Sequence, residues 1–304
     1  MKNGLRLSIV AIGWLWPGFL AEAGAAGPGG AIRVEAFVPK ATVLVGEPVI
    51  LTVTQRASVP VYVVHEDDLA LGNTHLRILV DRGVGLVPYR PKRIVASDHE
   101  PPSKEMLDDG VRVWEHVLVY DDILADWVFP RPGRYRLVVE YADGKEVVRS
   151  RPVTVEVATP VGEEALVLER LRPMPGYILA PEPPGGELHP ALAAILRDHP
   201  RTVYLAKARL DDVESRLTKA LYGGRGGGKP DLDGARPALE EALAELKDIA
   251  ANGGAFAADA MLRCAGIEAA LGNKFVAREI KERIVREFPG TSAARLAAED
   301  LESQ

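Results

Sequence analysis

The sequence lacks several features that would point to particular classes of protein. Its 304 residues include one cysteine, so no intramolecular disulfide can form and the fold has to rest on packing. Acidic residues outnumber basic ones by 43 to 37, whereas a nucleic-acid binder usually carries a basic face. After residue 26 no segment is apolar enough to span a bilayer. What remains is a globular chain that is long enough for two domains.

Motifs that carry catalysis are also missing. The sequence has no G-x-S-x-G around a serine and no H-E-x-x-H pair. The stretch Gly223–Pro230 has the G-x-x-x-x-G-K spacing of a phosphate-binding loop, but Pro230 stands where Ser or Thr would bind magnesium. The residues before it are helical in pattern, whereas such a loop follows a strand. We therefore predict no nucleotide, no cofactor and no catalytic residue.

Two acidic loops contain the side chains that metals use as ligands. They are His65-Glu66-Asp67-Asp68 and Asp98-His99-Glu100, and Asp121-Asp122 is a third source. Imidazole with carboxylate suits zinc or manganese, and carboxylates alone suit calcium. However, the spacings match no known signature, and acidic turns between strands are ordinary solvated loops. We therefore assign no metal ligand and keep these loops for an alternative hypothesis below.

The first 26 residues are arranged as a secretory signal peptide. Lys2 and Arg6 give a positively charged start, an apolar run from Leu7 to Leu20 follows, and small residues come next. The run is shorter than the roughly 20 residues that span a bilayer, so we expect cleavage, near Ala23 or Ala25. This predicts a periplasmic or extracellular protein with no membrane span after signal removal.

Residues 27–158 are predicted to form an antiparallel β-sandwich. Apolar residues alternate with polar ones in at least seven runs, which Gly, Pro and Asp separate. Gly46-Glu47-Pro48 reads as a turn before a strand, and Asp143-Gly144 is a hairpin signal. Residues 88–110 carry many prolines and charges and are predicted to be a surface excursion. The alternating runs are Ile32–Val38, Val49–Val53, Val59–Val63, Leu76–Val80, Val111–Val119, Tyr135–Tyr141 and Val153–Val157.

Two segments of this region resemble bacterial immunoglobulin-like domains. The segment Val45–Val53, VGEPVILTV, is similar to the opening of such domains, and Phe129–Leu137, FPRPGRYRL, is similar to the entry to their penultimate strand. The resemblance implies an immunoglobulin-like sandwich and no catalytic residues. The cysteine pair of antibody domains is absent, so we expect aliphatic packing around Trp114, Trp127 and Tyr135.

The hydrophobic period changes to that of helices at Thr159. Thr159-Pro160 is predicted to cap a short helix that ends near Leu171. Six prolines and three glycines in residues 173–190 then predict a linker, so 159–190 is a short helix with a Pro-rich linker. Residues 191–304 form the helical domain. Apolar stripes at helical spacing include Val203, Ala206, Leu210, Val213, Leu217; Leu239, Ala242, Leu246, Ile249; Phe256, Ala260, Cys264, Ile267; and Val276, Ile280, Ile284, Phe288.

The helical domain contains an internal similarity. Ile195–Thr202, ILRDHPRT, matches Ile284–Thr291, IVREFPGT, and each ends one helix before proline and caps the next with threonine. Together with the turn Ala269–Phe275, this resembles a degenerate tetratricopeptide-type array.

Cys264 lies in an apolar stripe and is predicted to be buried and unreactive. His189 and His199 are interpreted as helix-boundary residues.

Fold and composition together favour a binding protein over an enzyme. We interpret the chain as a non-enzymatic exported binding or scaffold protein that contacts another envelope or secreted protein through its sandwich and its helical repeats. The alternative is a carbohydrate-binding module or a metal-dependent hydrolase. Its site would lie in the loops near His65–Asp68 and His99, with Tyr62, Tyr89 and Trp114 for stacking.

The signal-peptide hypothesis predicts where the mature chain begins. N-terminal sequencing of the protein purified from its native host should give a first residue between Gly24 and Gly27. A cytoplasmic protein that still begins at Met1 would contradict the predicted export.

Overall fold

The architecture is taken from a computed structural model. The structure describes residues 32–59, 61–64, 75–90, 104–107, 111–121, 124–142, 147–174, 189–222, 232, 234–252 and 254–303. Contacts divide the chain into the units Met1–Gly30 and Ala31–Gln304, and all elements named below belong to the second unit. The signal peptide lies outside the described residues, so its cleavage stays a prediction.

Strands occupy the N-terminal part of this unit and helices the C-terminal part. The strands are β1 (Ile32–Phe37), β2 (Thr42–Leu44), β3 (Val49–Ala57), β4 (Val61–Val64), β5 (Leu76–Asp81), β6 (Leu86–Pro88), β7 (Lys104–Leu107), β8 (Val111–Leu118), β9 (Tyr120–Asp121), β10 (Asp126–Trp127), β11 (Gly133–Ala142), β12 (Val147–Arg149) and β13 (Val153–Ala158). The helices are α1 (Glu163–Leu171), α2 (Pro190–Asp198), α3 (Ala206–Tyr222), α4 (Arg236–Asn252), α5 (Ala257–Ala270), α6 (Lys274–Glu287) and α7 (Ser292–Glu302).

Two sheets make up most of the β region. The first has the strand order β1-β3-β8, and the second has the order β2-β13-β11-β5-β6 with β12 also paired to β11. All of these pairs are antiparallel except β13 with β2, where Val157 lies opposite Val43 in a parallel register. The predicted antiparallel β region followed by a helical region is thus confirmed, with one parallel pair added. The predicted hairpin is present as well, because Tyr141 of β11 pairs with Val148 of β12.

Alternation along the strands explains how the sheets bury apolar surface. On β3, Val49, Leu51 and Val53 point to one side and are almost completely buried. They join one apolar core with side chains of the second sheet, such as Leu137 and Val155. Trp127 and Tyr135 belong to this core as predicted, and Trp114 packs against it. The core also takes in Val167, Leu168 and Leu171 of α1, Leu192 and Ile195 of α2, and Tyr204, Leu205 and Ala208.

Two local predictions are wrong. Residues 88–110 are not wholly a surface excursion, because Lys104–Leu107 forms β7 and pairs with β4. The first helix is not capped by Thr159 but begins at Glu163, after Gly162 with φ +58°. A left-handed residue interrupts the helical path, so the chain turns at Gly162 before the helix starts. Two acidic residues in the first turn favour that start.

Helices α3 to α7 pack in chain order around two further apolar clusters. Cys264 lies in the larger cluster together with Leu246 and Ile267, and 2% of it is exposed. Burial raises the pKa of its thiol to about 11, so the prediction of a buried, unreactive cysteine is supported on both counts. The two repeat ends behave alike: the Thr202 hydroxyl accepts from the Tyr204 amide, and the Thr291 hydroxyl accepts from the Ala294 amide.

Charged side chains follow the line where α3 meets α4. Arg209, which is nearly buried, donates to Asp248 at 3.1 Å and faces Glu245 at 3.6 Å. One heptad later, Arg216 pairs with Glu245 and with Glu241. Both arginines lie on α3 and form ion pairs with carboxylates of α4. These ion pairs therefore fix the register of the two helices. The predicted linker, residues 173–190, lies mostly outside the described residues, and the division into a domain of residues 27–158 and a domain of residues 191–304 stays a prediction.

Candidate functional site: the joint between the sheets and the helices

The turn between β2 and β3 is one place where the helical region contacts the sheets. Its residues Val45, Gly46, Glu47 and Pro48 are all buried, although turns are usually exposed. Val45 offers its carbonyl oxygen to the Tyr204 hydroxyl at 2.9 Å, and 159 residues separate the two in sequence. The turn is therefore a tertiary contact as well as a strand connection. We call Val45–Pro48 the joint turn.

Gly46 has no room for a side chain. Its φ is +75°, a conformation that favours glycine. A Cβ at this position would lie 2.8 Å from Cδ1 of Leu168 on α1 and 3.2 Å from the ring of Trp127. The absence of a side chain therefore lets α1 and the indole close over the backbone.

Glu47 is a buried carboxylate, and both of its oxygens accept hydrogen bonds. Its side chain is 2% exposed, and it accepts from Lys40 Nζ at 2.6 Å and from the Leu44 amide at 2.8 Å. The turn before α5 lies against this pair, since a Cβ on Gly254 would be 3.0 Å from Glu47 Oε1. A buried charge without such partners would be strongly unfavourable, so the pair and the close backbone support each other.

A second carboxylate fastens α1 to the start of α3. Glu164 accepts from the Thr202 hydroxyl at 2.6 Å and from the Val203 amide at 3.1 Å. Burial raises the pKa of the neighbouring Tyr204 hydroxyl, and the charges of Glu164 and Glu47 raise it further. The phenol therefore stays protonated as a hydrogen-bond donor throughout the physiological range.

A second contact area lies on the outer face of the first sheet. Phe37, Thr52 and Glu115 are opposite one another on β1, β3 and β8. Glu115 accepts from the Ser292 amide at 2.8 Å, at the first residue of α7, where a negative charge complements the helix dipole. Gly290 lies over Phe37, because a Cβ there would be 3.3 Å from Phe37 Cδ1. Phe37 and Glu115 therefore hold the turn between α6 and α7 against the sheet.

The inner face of the same sheet carries polar groups that have no hydrogen-bond partner within the described part of the chain. Gln55 is completely buried with both amide atoms unpaired, and Trp114 Nε1 and His116 Nε2 are in the same state. The register places Trp114 opposite Val53 and His116 opposite Leu51. Such groups are uncommon in protein interiors and are usually bridged by water or a ligand.

Burial lowers the pKa of His116 to about 4. The imidazole is thus neutral in the folded protein at neutral pH, whereas in the unfolded chain it has its ordinary pKa of 6.5. Because the unfolded state binds the proton more tightly, His116 contributes stability above pH 6.5 and that contribution is lost as the pH falls toward 4.

The metal and stacking residues considered in the sequence fall mostly outside the described residues. His65–Asp68, Asp98–Glu100, Asp122 and the glycine-rich Gly223–Pro230 are not described, and neither is the side chain of Tyr62. Asp121 is buried and pairs with Arg82 at 3.2 Å. No group of three or more His, Cys, Asp or Glu that could hold a metal ion forms among the residues that the structure describes.

The two histidines at helix ends have different surroundings. His189 Nδ1 accepts from the Ala191 amide at 3.2 Å and so caps α2, as its interpretation as a boundary residue requires. His199 follows the last residue of α2, and its amide donates to the Ile195 carbonyl. The sequence did not reveal Tyr204 and Glu115, which connect the sheets to the helices. Only the Gly46-Glu47-Pro48 turn signal pointed to this part of the molecule.

Comparisons with known proteins give no family. No protein-family model matches the sequence, and no curated protein matches it. Among solved structures, the sporulation control protein Spo0M from Bacillus subtilis is similar over 48% of this chain and 56% of its own, with 10% identity and a TM-score of 0.26. A β-glucosidase from Listeria innocua is matched over 43% of this chain and 16% of its own, with 16% identity and a TM-score of 0.25.

The chain spans 56% of the length of Spo0M and 16% of that of the β-glucosidase. Such remote likenesses carry no argument about function. Within the described residues, no helix is both long enough and apolar enough to cross a membrane.

The hydrogen bond between Tyr204 and Val45 predicts a selective effect of removing one hydroxyl. Tyr204→Phe should lower the free energy of unfolding by about 1–2 kcal/mol, because it leaves a buried carbonyl unpaired. Tyr222→Phe is the control, since Tyr222 is 38% exposed at the end of α3. Urea unfolding of both variants tests this, and equal losses would contradict the role given to Tyr204.

Proposed function

We propose that the protein is a non-enzymatic exported binding or scaffold protein that works through contacts with another envelope or secreted protein. The helices would present a binding surface, and the sheets would hold that surface in place. We propose a finer fold for the β region and for the helical region, and one exposed side chain supports the proposed binding function.

An immunoglobulin-like sandwich is the finer fold that we propose for the β region. The Tyr135 hydroxyl near the start of β11 donates to the Arg131 carbonyl at 2.8 Å and accepts from the Arg131 amide at 3.3 Å. A tyrosine that bonds to backbone a few residues upstream at this kind of corner is a feature of immunoglobulin-like domains. The aromatic pair of Tyr135 with Phe129, at 5.0 Å between ring centres, strengthens the same corner.

A tetratricopeptide-like arrangement is our proposal for the helical region. Each of the helices α3 to α6 packs against the helix that follows it, and α5 also contacts α7. Contacts between alternate helices are expected where helical hairpins stack side by side. Thr202 and Thr291 cap the elements that follow the two matching repeat ends.

Phe275 is the observation that carries the proposed function. This aromatic side chain in the first turn of α6 is 73% exposed, and the adjacent Val276 is 38% exposed. Burying a Phe side chain stabilises a complex by about 1.5–3 kcal/mol, and aromatic residues often anchor protein interfaces. An exposed Phe beside a second apolar residue is therefore a reasonable anchor for a partner.

The carbohydrate-binding or hydrolase alternative has less support. Two of its three stacking residues are poorly placed for a ligand on the surface. Tyr89 is 4% exposed, and Trp114 lies on the inner face of its sheet with a buried indole nitrogen.

The proposed function predicts that one substitution on α6 disrupts partner binding. Phe275→Asp should reduce the protein recovered from an envelope extract of the native host at least about tenfold, as expected for the loss of an interface anchor. Val84→Asp is the matched control, because Val84 is 84% exposed in the β5–β6 turn, on the sheets.

Quantitative mass spectrometry of material bound to the wild-type protein and to both variants measures the effect. Recovery of one protein with wild type and Val84→Asp but not with Phe275→Asp supports the proposal. No protein enriched over bare resin, or equal recovery with all three baits, would contradict it.

A further inference from the structure

A row of polar side chains lies inside the β region, on the inner face of the first sheet. Its members are Gln55 on β3 and Trp114 and His116 on β8. The register sets Trp114 opposite Val53 and His116 opposite Leu51, and both of these partners are core residues. Because side chains alternate between the two faces of a strand, the three polar residues point toward the core that the two sheets share. We call Gln55, Trp114 and His116 the inner polar row.

The inner polar row is buried without hydrogen-bond partners. Gln55 is completely buried, and neither its amide nitrogen nor its amide oxygen is paired within the described part of the chain. Trp114 Nε1 and His116 Nε2 are buried and unpaired in the same way. Each such atom lowers the folding equilibrium constant by roughly tenfold to a hundredfold if it stays unpaired. Four of them in one row are too many for a marginally stable protein, so an occupant has to supply their partners.

The surroundings of the row are apolar. Val34 on β1 lies opposite Gln55, and Leu137 and Val139 of the second sheet belong to the same core. Strand β1 also contacts β11 and β12 of the second sheet. A buried water needs two to four polar partners, whereas this apolar wall supplies none. The occupant therefore needs polar groups on one side and apolar surface on the other.

The charges and donors of the row define the occupant further. The amide and the indole are uncharged, and burial lowers the pKa of His116 to about 4, so its imidazole is neutral at neutral pH. Arg112 lies opposite Gln55 but is only half-buried and forms no hydrogen bond with that amide. A buried ion would lack a countercharge here, which excludes a charged occupant. Trp114 Nε1 can only donate, so the occupant has to carry an acceptor.

We propose that the inner polar row is a binding site for a small neutral molecule with an apolar body and at least one hydroxyl or carbonyl group. The Trp114 N–H and the Gln55 amide hold the oxygen of this group, and the apolar body lies against the second sheet. Gln55 is one residue pair from the end of the β3–β8 pairing, so the molecule enters from that end of the sheet. The site lies on strands rather than on α6 and does not depend on the proposed protein-binding function.

Titration of the full chain with the neutral dye prodan tests this site. Prodan has a naphthalene body and one carbonyl group, and its fluorescence shifts to the blue in apolar surroundings. The wild-type chain should bind the dye with saturation. Gln55→Leu should raise the Kd at least about tenfold, because it removes an amide that donates to the carbonyl oxygen. Thr54→Val is the matched control and should leave the Kd unchanged, since Thr54 is the next residue along β3 and lies on the outer face.

Urea unfolding of the dye-free proteins is the second measurement. Gln55→Leu should keep or raise the folding equilibrium constant, because leucine is similar in size and leaves no polar atom unpaired. Trp114→Phe, which keeps an aromatic ring without an N–H, should weaken dye binding as Gln55→Leu does.

Three results would overturn the proposal. The first is that the wild-type chain does not bind prodan up to the solubility limit of the dye, and the second is that all variants bind it equally. The third is that Gln55→Leu lowers the folding equilibrium constant more than Thr54→Val does, because the amide would then be held by ordered water alone.

Discussion

The docking of the helices depends on a buried turn that has no room for a side chain at its second residue. Gly46 lies beneath Leu168 and Trp127, and a Cβ would be 2.8 Å from the leucine. On one side of it the Val45 carbonyl is bonded to Tyr204, and on the other the Glu47 carboxylate is neutralised by Lys40. Each of these contacts requires the turn to stay buried. A change that exposes the turn would therefore weaken all of them.

The outer face of the first sheet gives the helices a second attachment. The cluster that contains Cys264 extends onto Ile50 of β3 and Val117 of β8, so apolar burial continues from helices to sheet. Glu115 adds a polar contact to the start of α7. The helices are therefore attached to the sheets on two different surfaces. In the function that we propose, the sheets would support the surface around Phe275 through these two attachments.

The sequence predicts the parts of this structure better than their assembly. The alternation of apolar and polar residues predicted the buried face of β3, and the helical spacing of apolar residues predicted that Cys264 is buried. Both predictions succeed because they depend only on residues that are close in sequence. The strand Lys104–Leu107 escaped notice, since its charges and flanking prolines resemble a loop and only pairing with β4 makes it a strand. The candidate site was not predictable, because Tyr204 and Val45 meet across 159 residues and no local pattern records such a contact.

A comparison of two glycine substitutions tests the central role of the joint turn most directly. Gly46→Ala and Gly83→Ala introduce the same side chain at similar φ values, +75° and +88°, but Gly83 has nothing within 4 Å of the new Cβ. Strain at positive φ costs both variants about 1 kcal/mol. Overpacking against Leu168 and Trp127 should cost Gly46→Ala about 1–3 kcal/mol more in the free energy of unfolding. Equal losses in the two variants, measured by urea unfolding, would contradict the account.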